Sequence, residues 1–162
     1  MSRALCLLLA VIAFDARTPV LAQGTGTTPS VRACALLTKE LVAKVSPHKG
    51  NPQLMSVMKP SEDSLGATGS ACSYAGITLQ VNPFTAERLQ ALAKEYETLW
   101  VAVPDVGTGA YFFDNRGEYA ELYAKTGTQV FTIQMDVPDG GTAAGIKPNV
   151  LELAKAIAAK LK

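Results

Sequence analysis

Three β-rich runs follow one another between Ala110 and Val137 with only a few residues separating them. Ala110–Asp114 gives way to Asn115-Arg116-Gly117, residues 118–124 give way to Thr126-Gly127, and residues 128–137 end at Pro138-Asp139-Gly140-Gly141. Gly-containing gaps this short favour antiparallel hairpins, because a parallel pair needs a crossover of about a dozen residues or more. Alternation then sorts the side chains. A strand over 118–124 puts Tyr119, Glu121 and Tyr123 on one face and Ala120, Leu122 and Ala124 on the other. In the next run Phe131, Ile133, Met135 and Val137 alternate with Val130, Thr132, Gln134 and Asp136.

Upstream, Ile77, Leu79 and Val81 alternate with Thr78, Gln80 and Asn82, so residues 73–81 read as one further strand, stopped by Pro83. Helical spacing occurs in three places. Leu37, Leu41, Val42 and Val45 share a face in the segment from Cys34 to Val45, with Thr38 a cap for its second part and Pro47 the stop. Leu89, Leu92, Ala93 and Tyr96 define an amphipathic helix over 86–98, capped by Thr85. Val150, Leu153, Ala154, Ile157 and Leu161 define another over 149–161, with Pro148 in its first turn after a loop from Gly140 to Lys147. Residues 46–70 carry Pro, Gly and Ser without periodicity and are expected to be a long loop with a short strand at 53–58. The expected fold class is therefore α+β: an antiparallel sheet with amphipathic helices packed on one face. Helices 86–98 and 149–161 are expected to cover Leu122, Phe131, Ile133 and Met135.

The first 22 residues read as an export signal. Arg3 precedes the apolar run Ala4–Phe14, and Val20-Leu21-Ala22 offers a cleavage site before Gln23. No apolar run reaches the ~18–20 residues that a membrane span needs. Residues 23–30 (QGTGTTPS) form a flexible leader, and residues 31–162 are expected to be a single domain. The destination is periplasmic or secreted. The whole chain carries 15 basic and 14 acidic side chains, and removing Arg3, Arg17 and Asp15 with the signal leaves the two signs equal. Such a balance excludes an electrostatic nucleic-acid binder. A hydrophobic share of 48% excludes global disorder. Of three cysteines, Cys34 and Cys72 remain after the signal. In an oxidising compartment such a pair reads as one disulfide; the alternative is a thiolate metal site with His48 as third ligand.

Three short motifs carry a resemblance: Cys34-Ala-Leu-Leu-Thr38, Cys72-Ser-Tyr74, and Val106-Gly-Thr-Gly-Ala-Tyr111 ahead of a hairpin and a terminal helix. Their order resembles small secreted actinobacterial proteins of unknown function, mostly lipoproteins, which are similar to the extracellular sensor domain of a mycobacterial receptor kinase. The resemblance implies an α+β domain, a disulfide joining the two cysteine motifs, and extracytoplasmic binding of a ligand or partner without catalytic residues. Two departures stand out. Thr108 occupies a position where an acidic residue is common, and no lipobox cysteine is present, so a soluble rather than lipid-anchored protein is expected.

Candidate chemistry is sparse. His48, the only histidine, would have to serve as base in any hydrolase, alongside scattered carboxylates, and no Gly-x-Ser-x-Gly elbow accompanies it. Met55 and Met58 with His48 are soft ligands suited to Cu(I), yet next to Leu54 and Val57 they read as apolar filler. Gly107-Thr-Gly109 lacks both the Walker lysine and the Rossmann spacing. No catalytic residue, metal or cofactor is therefore assigned. The expected function is a non-enzymatic binding domain for a small molecule or an extracytoplasmic protein. Its expected contact face bears Tyr119, Glu121 and Tyr123, with Trp100 or Tyr111 at the edge, because tyrosines offer a broad apolar surface with a polar tip.

Overall fold

A computed structural model describes residues 31–47, 60–65 and 68–162. The expected signal (1–22) and leader (23–30), His48, Met55, Met58 and the strand expected at 53–58 lie outside the described residues. Among the described residues the chain runs α1 (Ala33–Leu36), α2 (Lys39–Val45), β1 (Ser61–Leu65), β2 (Gly69–Tyr74), β3 (Ile77–Val81) and α3 (Ala86–Glu95). It continues through β4 (Val101–Val103), β5 (Gly109–Asn115), β6 (Tyr119–Thr126), β7 (Gln129–Asp136) and α4 (Ala143–Lys160). The strands form one antiparallel sheet in the order β1-β2-β3-β7-β6-β5-β4. The fold is α+β, as expected.

Local chemistry explains where the elements begin. Thr38, Thr85 and Thr142 each sit in extended backbone, and their side chains accept the N–H of the third residue on: Leu41, Arg88 and Gly145. These contacts answer backbone donors that the first turn of a helix leaves unpaired. The Thr142 cap starts α4 well before Pro148, so the last helix is longer than the sequence pattern implied and Pro148 lies inside it. The segment expected as one strand over 73–81 is instead a hairpin, β2–β3, and the segment expected as a loop contributes β1 and the start of β2. Its two-residue turn puts both Ala75 (φ 52°) and Gly76 (φ 73°) in the left-handed region. That is the geometry of a tight hairpin, reached here without the usual Asn-Gly or Asp-Gly signal.

The strand register fixes two faces. Tyr74, Cys72, Ile77, Leu79, Val81, Phe131, Ile133, Met135, Ala120, Leu122, Ala124, Ala110 and Phe112 share the first. They merge with α1, α2 and α4 into one buried core. Lys147 of α4 places its ammonium 4.8 Å from the Phe112 ring centre, and Asn149 donates to the Val45 carbonyl at 2.6 Å, which ties α4 to α2. Helix α1 is fastened to the sheet edge. The Cys34–Cys72 disulfide spans Cα atoms 5.0 Å apart, Arg32 pairs with Glu62, and Ser70 Oγ both accepts from the Ala33 N–H and donates to the Val31 carbonyl. The bonded sulfurs leave no thiolate pair for a metal.

Helix α3 differs from the expectation that it shares the α4 face. Leu89 and Val130 are buried yet stand outside the main core, and the aromatic residues flanking α3 meet Tyr123 on the second face. Phe84 and Leu89 bracket the Thr85 cap in the positions of a hydrophobic staple, which sets the entry angle of a helix.

Candidate functional site

The second face is built by alternation. Tyr119, Glu121, Tyr123 and Lys125 project from β6, and all four are half-buried. The register sets Tyr111 and Thr132 beside Tyr123, Phe113 and Gln134 beside Glu121, and Asn115 and Asp136 beside Tyr119. Tyr123 donates its hydroxyl to Glu121 Oε2 at 2.7 Å. Burial pushes its phenol well above the usual tyrosine value of 10.0, and the Glu121 carboxylate adds to this by accepting the proton's hydrogen bond and by its negative charge. Tyr123 is therefore a neutral donor across the physiological range.

Above this strand lies an aromatic stack. The Trp100 ring centre is 4.3 Å from that of Tyr123 with the planes 19° apart, and 5.8 Å from that of Tyr111. Tyr96 stacks on Trp100 at 5.9 Å, and Phe84 lies 6.4 Å from Tyr123. The structure thus brings Trp100, Tyr111, Tyr123 and Glu121 into one cluster and places Tyr119 farther along the same strand. Trp100 is over the cluster rather than at its edge, and β1 and β2 extend the sheet at its far end. What covers Tyr123 is the α3 segment. Phe84 and Tyr96 were not foreseen as site residues. The readable signal was their placement just outside the two ends of an amphipathic helix, one beside the cap and one at the last turn.

Beside Trp100 the chain exposes Tyr96 and Leu99, at 39% and 56%. The cluster is thus an ordered aromatic platform with a polar strip (Tyr119, Glu121, Gln134) along one side and an apolar lip on another. Of the strand carboxylates on this face, Glu121 accepts from the Tyr123 hydroxyl and Asp136 stands beside Tyr119. Among the described residues no three His, Cys, Asp or Glu side chains converge as metal ligands would. No described helix is long and apolar enough to cross a membrane.

The Val106-Gly-Thr-Gly109 segment has a structural explanation. Gly107 takes φ +58°, and a Cβ there would lie 2.1 Å from the Lys125 carbonyl oxygen. That same oxygen accepts from the Thr108 N–H at 2.7 Å and from the Thr108 hydroxyl at 3.2 Å. The motif pins the loop before β5 onto β6 and so sets Tyr111 opposite Tyr123. No protein-family model, curated protein or solved structure matches this chain.

Proposed function

We propose that this protein is an exported, non-enzymatic binding domain whose tyrosine face engages a small molecule or an extracytoplasmic protein. One observation carries the reading: Trp100 stacked on Tyr123, whose hydroxyl is already committed to Glu121, beside the half-exposed Tyr119 and Tyr111. Aromatic side chains fixed in this way lose little conformational entropy on binding, which is what makes Tyr and Trp effective recognition residues. The Cys34–Cys72 disulfide supports an oxidising compartment, and with it the export reading of residues 1–22. The motif resemblance to secreted actinobacterial proteins points the same way.

Trp100 is the only tryptophan, so its emission reports on this face without labelling. The test is a titration of the chain 23–162 with a library of amphipathic fragments and short Tyr-, Pro- and Lys-containing peptides, followed by Trp100 emission. Tyr119→Ala provides the comparison, since Tyr119 stands outside the stack. Saturable emission changes weakened at least about fivefold by Tyr119→Ala support the reading. Saturable changes that Tyr119→Ala leaves untouched count against it, as does a library without any hit.

A further inference from the structure

At the opposite end of the aromatic stack, the start of α3 and the β6–β7 turn enclose a cleft of about 560 Å³. This is within the range of about 300–1,000 Å³ typical of small-molecule sites. Its walls include Asn82, Phe84, Glu87, Lys125, Thr128 and Gln129. We propose that this cleft is a second site, beside the tyrosine face and sharing Phe84 with its aromatic cluster, and that it takes a neutral, polyhydroxylated ligand of the saccharide class.

The charges argue against an anion. The positive end of α3 is already answered from within: the Glu87 carboxylate accepts from its own backbone N–H and from the Thr85 hydroxyl, which holds it below the usual glutamate range. Thr85 Oγ1 in turn accepts the Arg88 N–H. Among the described residues Lys125 is the one cation on the cleft wall and Glu87 the one anion, so this lining is close to neutral. What remains is hydrogen-bonding capacity of both kinds. Asn82 Oδ1 accepts the Val130 N–H at 3.2 Å, so the rest of its amide is donor only, and Lys125 is likewise a donor. Thr128 gives and accepts.

Gln129 supplies the pointed observation. Its Oε1 is buried, and no donor among the described residues reaches it. A buried acceptor without a partner is costly, so bringing Oε1 to the cleft gives up no bond of that oxygen and gains one when a ligand O–H is there. A saccharide meets this lining on each count. Every hydroxyl both donates and accepts, and its C–H face carries partial positive charge suited to the electron-rich face of Phe84.

The experiment is amide chemical-shift mapping of the isotope-labelled chain 23–162 with glucose, N-acetylglucosamine and maltose, against inorganic phosphate and succinate as anionic probes. The expected result is saturable shifts confined to residues 82–87 and 125–129 for at least one saccharide and none for the anions. Phe84→Ala is expected to raise Kd about tenfold or more. Gln129→Met is expected to raise it about tenfold while Tm holds or rises, because the substitution removes an unsatisfied acceptor. A merely structural Gln129 would instead lower Tm and leave Kd alone, and that result overturns the proposal. So do tighter binding of phosphate or succinate, saccharide shifts at residues 119–123 in place of the cleft, and the absence of binding by all three saccharides.

Discussion

Removing a single oxygen from Tyr123 separates what its ring does from what its hydroxyl does. In Tyr123→Phe the stack with Trp100 and Phe84 is kept, and the 2.7 Å bond to Glu121 is lost. A hydrogen bond to a charged acceptor contributes about 1.5–3 kcal/mol, but Glu121 is half-exposed and water replaces part of the loss, so about 1–1.5 kcal/mol is expected. For a domain of this size that corresponds to a fall in Tm of roughly 3–6 °C. The pH dependence gives a second signature. Tyr123 has its phenol pKa raised in the folded state, so the unfolded chain loses its proton first. Its contribution is complete below pH 10.0, the ordinary tyrosine value, and declines as pH rises from there toward the folded value. Wild-type stability is therefore expected to fall more steeply above that pH than the stability of Tyr123→Phe. Urea denaturation followed by far-UV circular dichroism, repeated across the alkaline range, measures both effects. Equal stabilities at neutral pH together with parallel alkaline limbs would refute the assigned role of the Tyr123–Glu121 bond.

Other outcomes follow from the same geometry. Gly107→Ala combines a left-handed φ with a Cβ clash against the Lys125 carbonyl, so a loss of about 2–4 kcal/mol by chemical denaturation is expected. Reduction, or Cys34→Ser with Cys72→Ser, releases a loop of sequence separation 38 and is expected to cost about 4 kcal/mol, read as a lower urea midpoint. Thr142→Ala removes the α4 cap and is expected to cost about 1 kcal/mol, whereas the exposed Lys155→Ala is expected to cost less than about 0.5 kcal/mol. Intact mass of the protein secreted by its native host is expected to begin at Gln23; a species retaining Met1 would overturn the export reading.

The parts of the fold legible in the sequence are those where one periodicity acts alone. Residues 109–136 form the hairpins that their Gly-containing gaps implied, because a two- or three-residue gap leaves few alternatives. The Thr38 and Thr85 caps were readable for a similar reason: capping is a local contact. The β2–β3 hairpin was not, since Ala75-Gly76 adopts its turn through tertiary pairing and not through a turn-forming dipeptide. Neither was β1, whose Ser61-Glu-Asp-Ser-Leu65 has no alternation and depends on β2 for its pairing. For the site, β6 alternation named Tyr119, Glu121 and Tyr123 correctly as neighbours on one face. Which helix lies over that face was beyond the pattern. The apolar stripe of α3 fits either side of the sheet, and the choice is made by Phe84 and Trp100, whose partner Tyr123 is distant in sequence.

The tyrosine face as a binding surface is tested most directly by the position of a bound partner. Amide and tyrosine side-chain shifts of the isotope-labelled chain 23–162, recorded with each hit from the fragment and peptide library, locate that contact residue by residue. Saturable shifts centred on Tyr119, Glu121, Tyr123 and the Trp100 indole N–H are expected. Saturable shifts that avoid these four residues for every hit would contradict the binding role of this face.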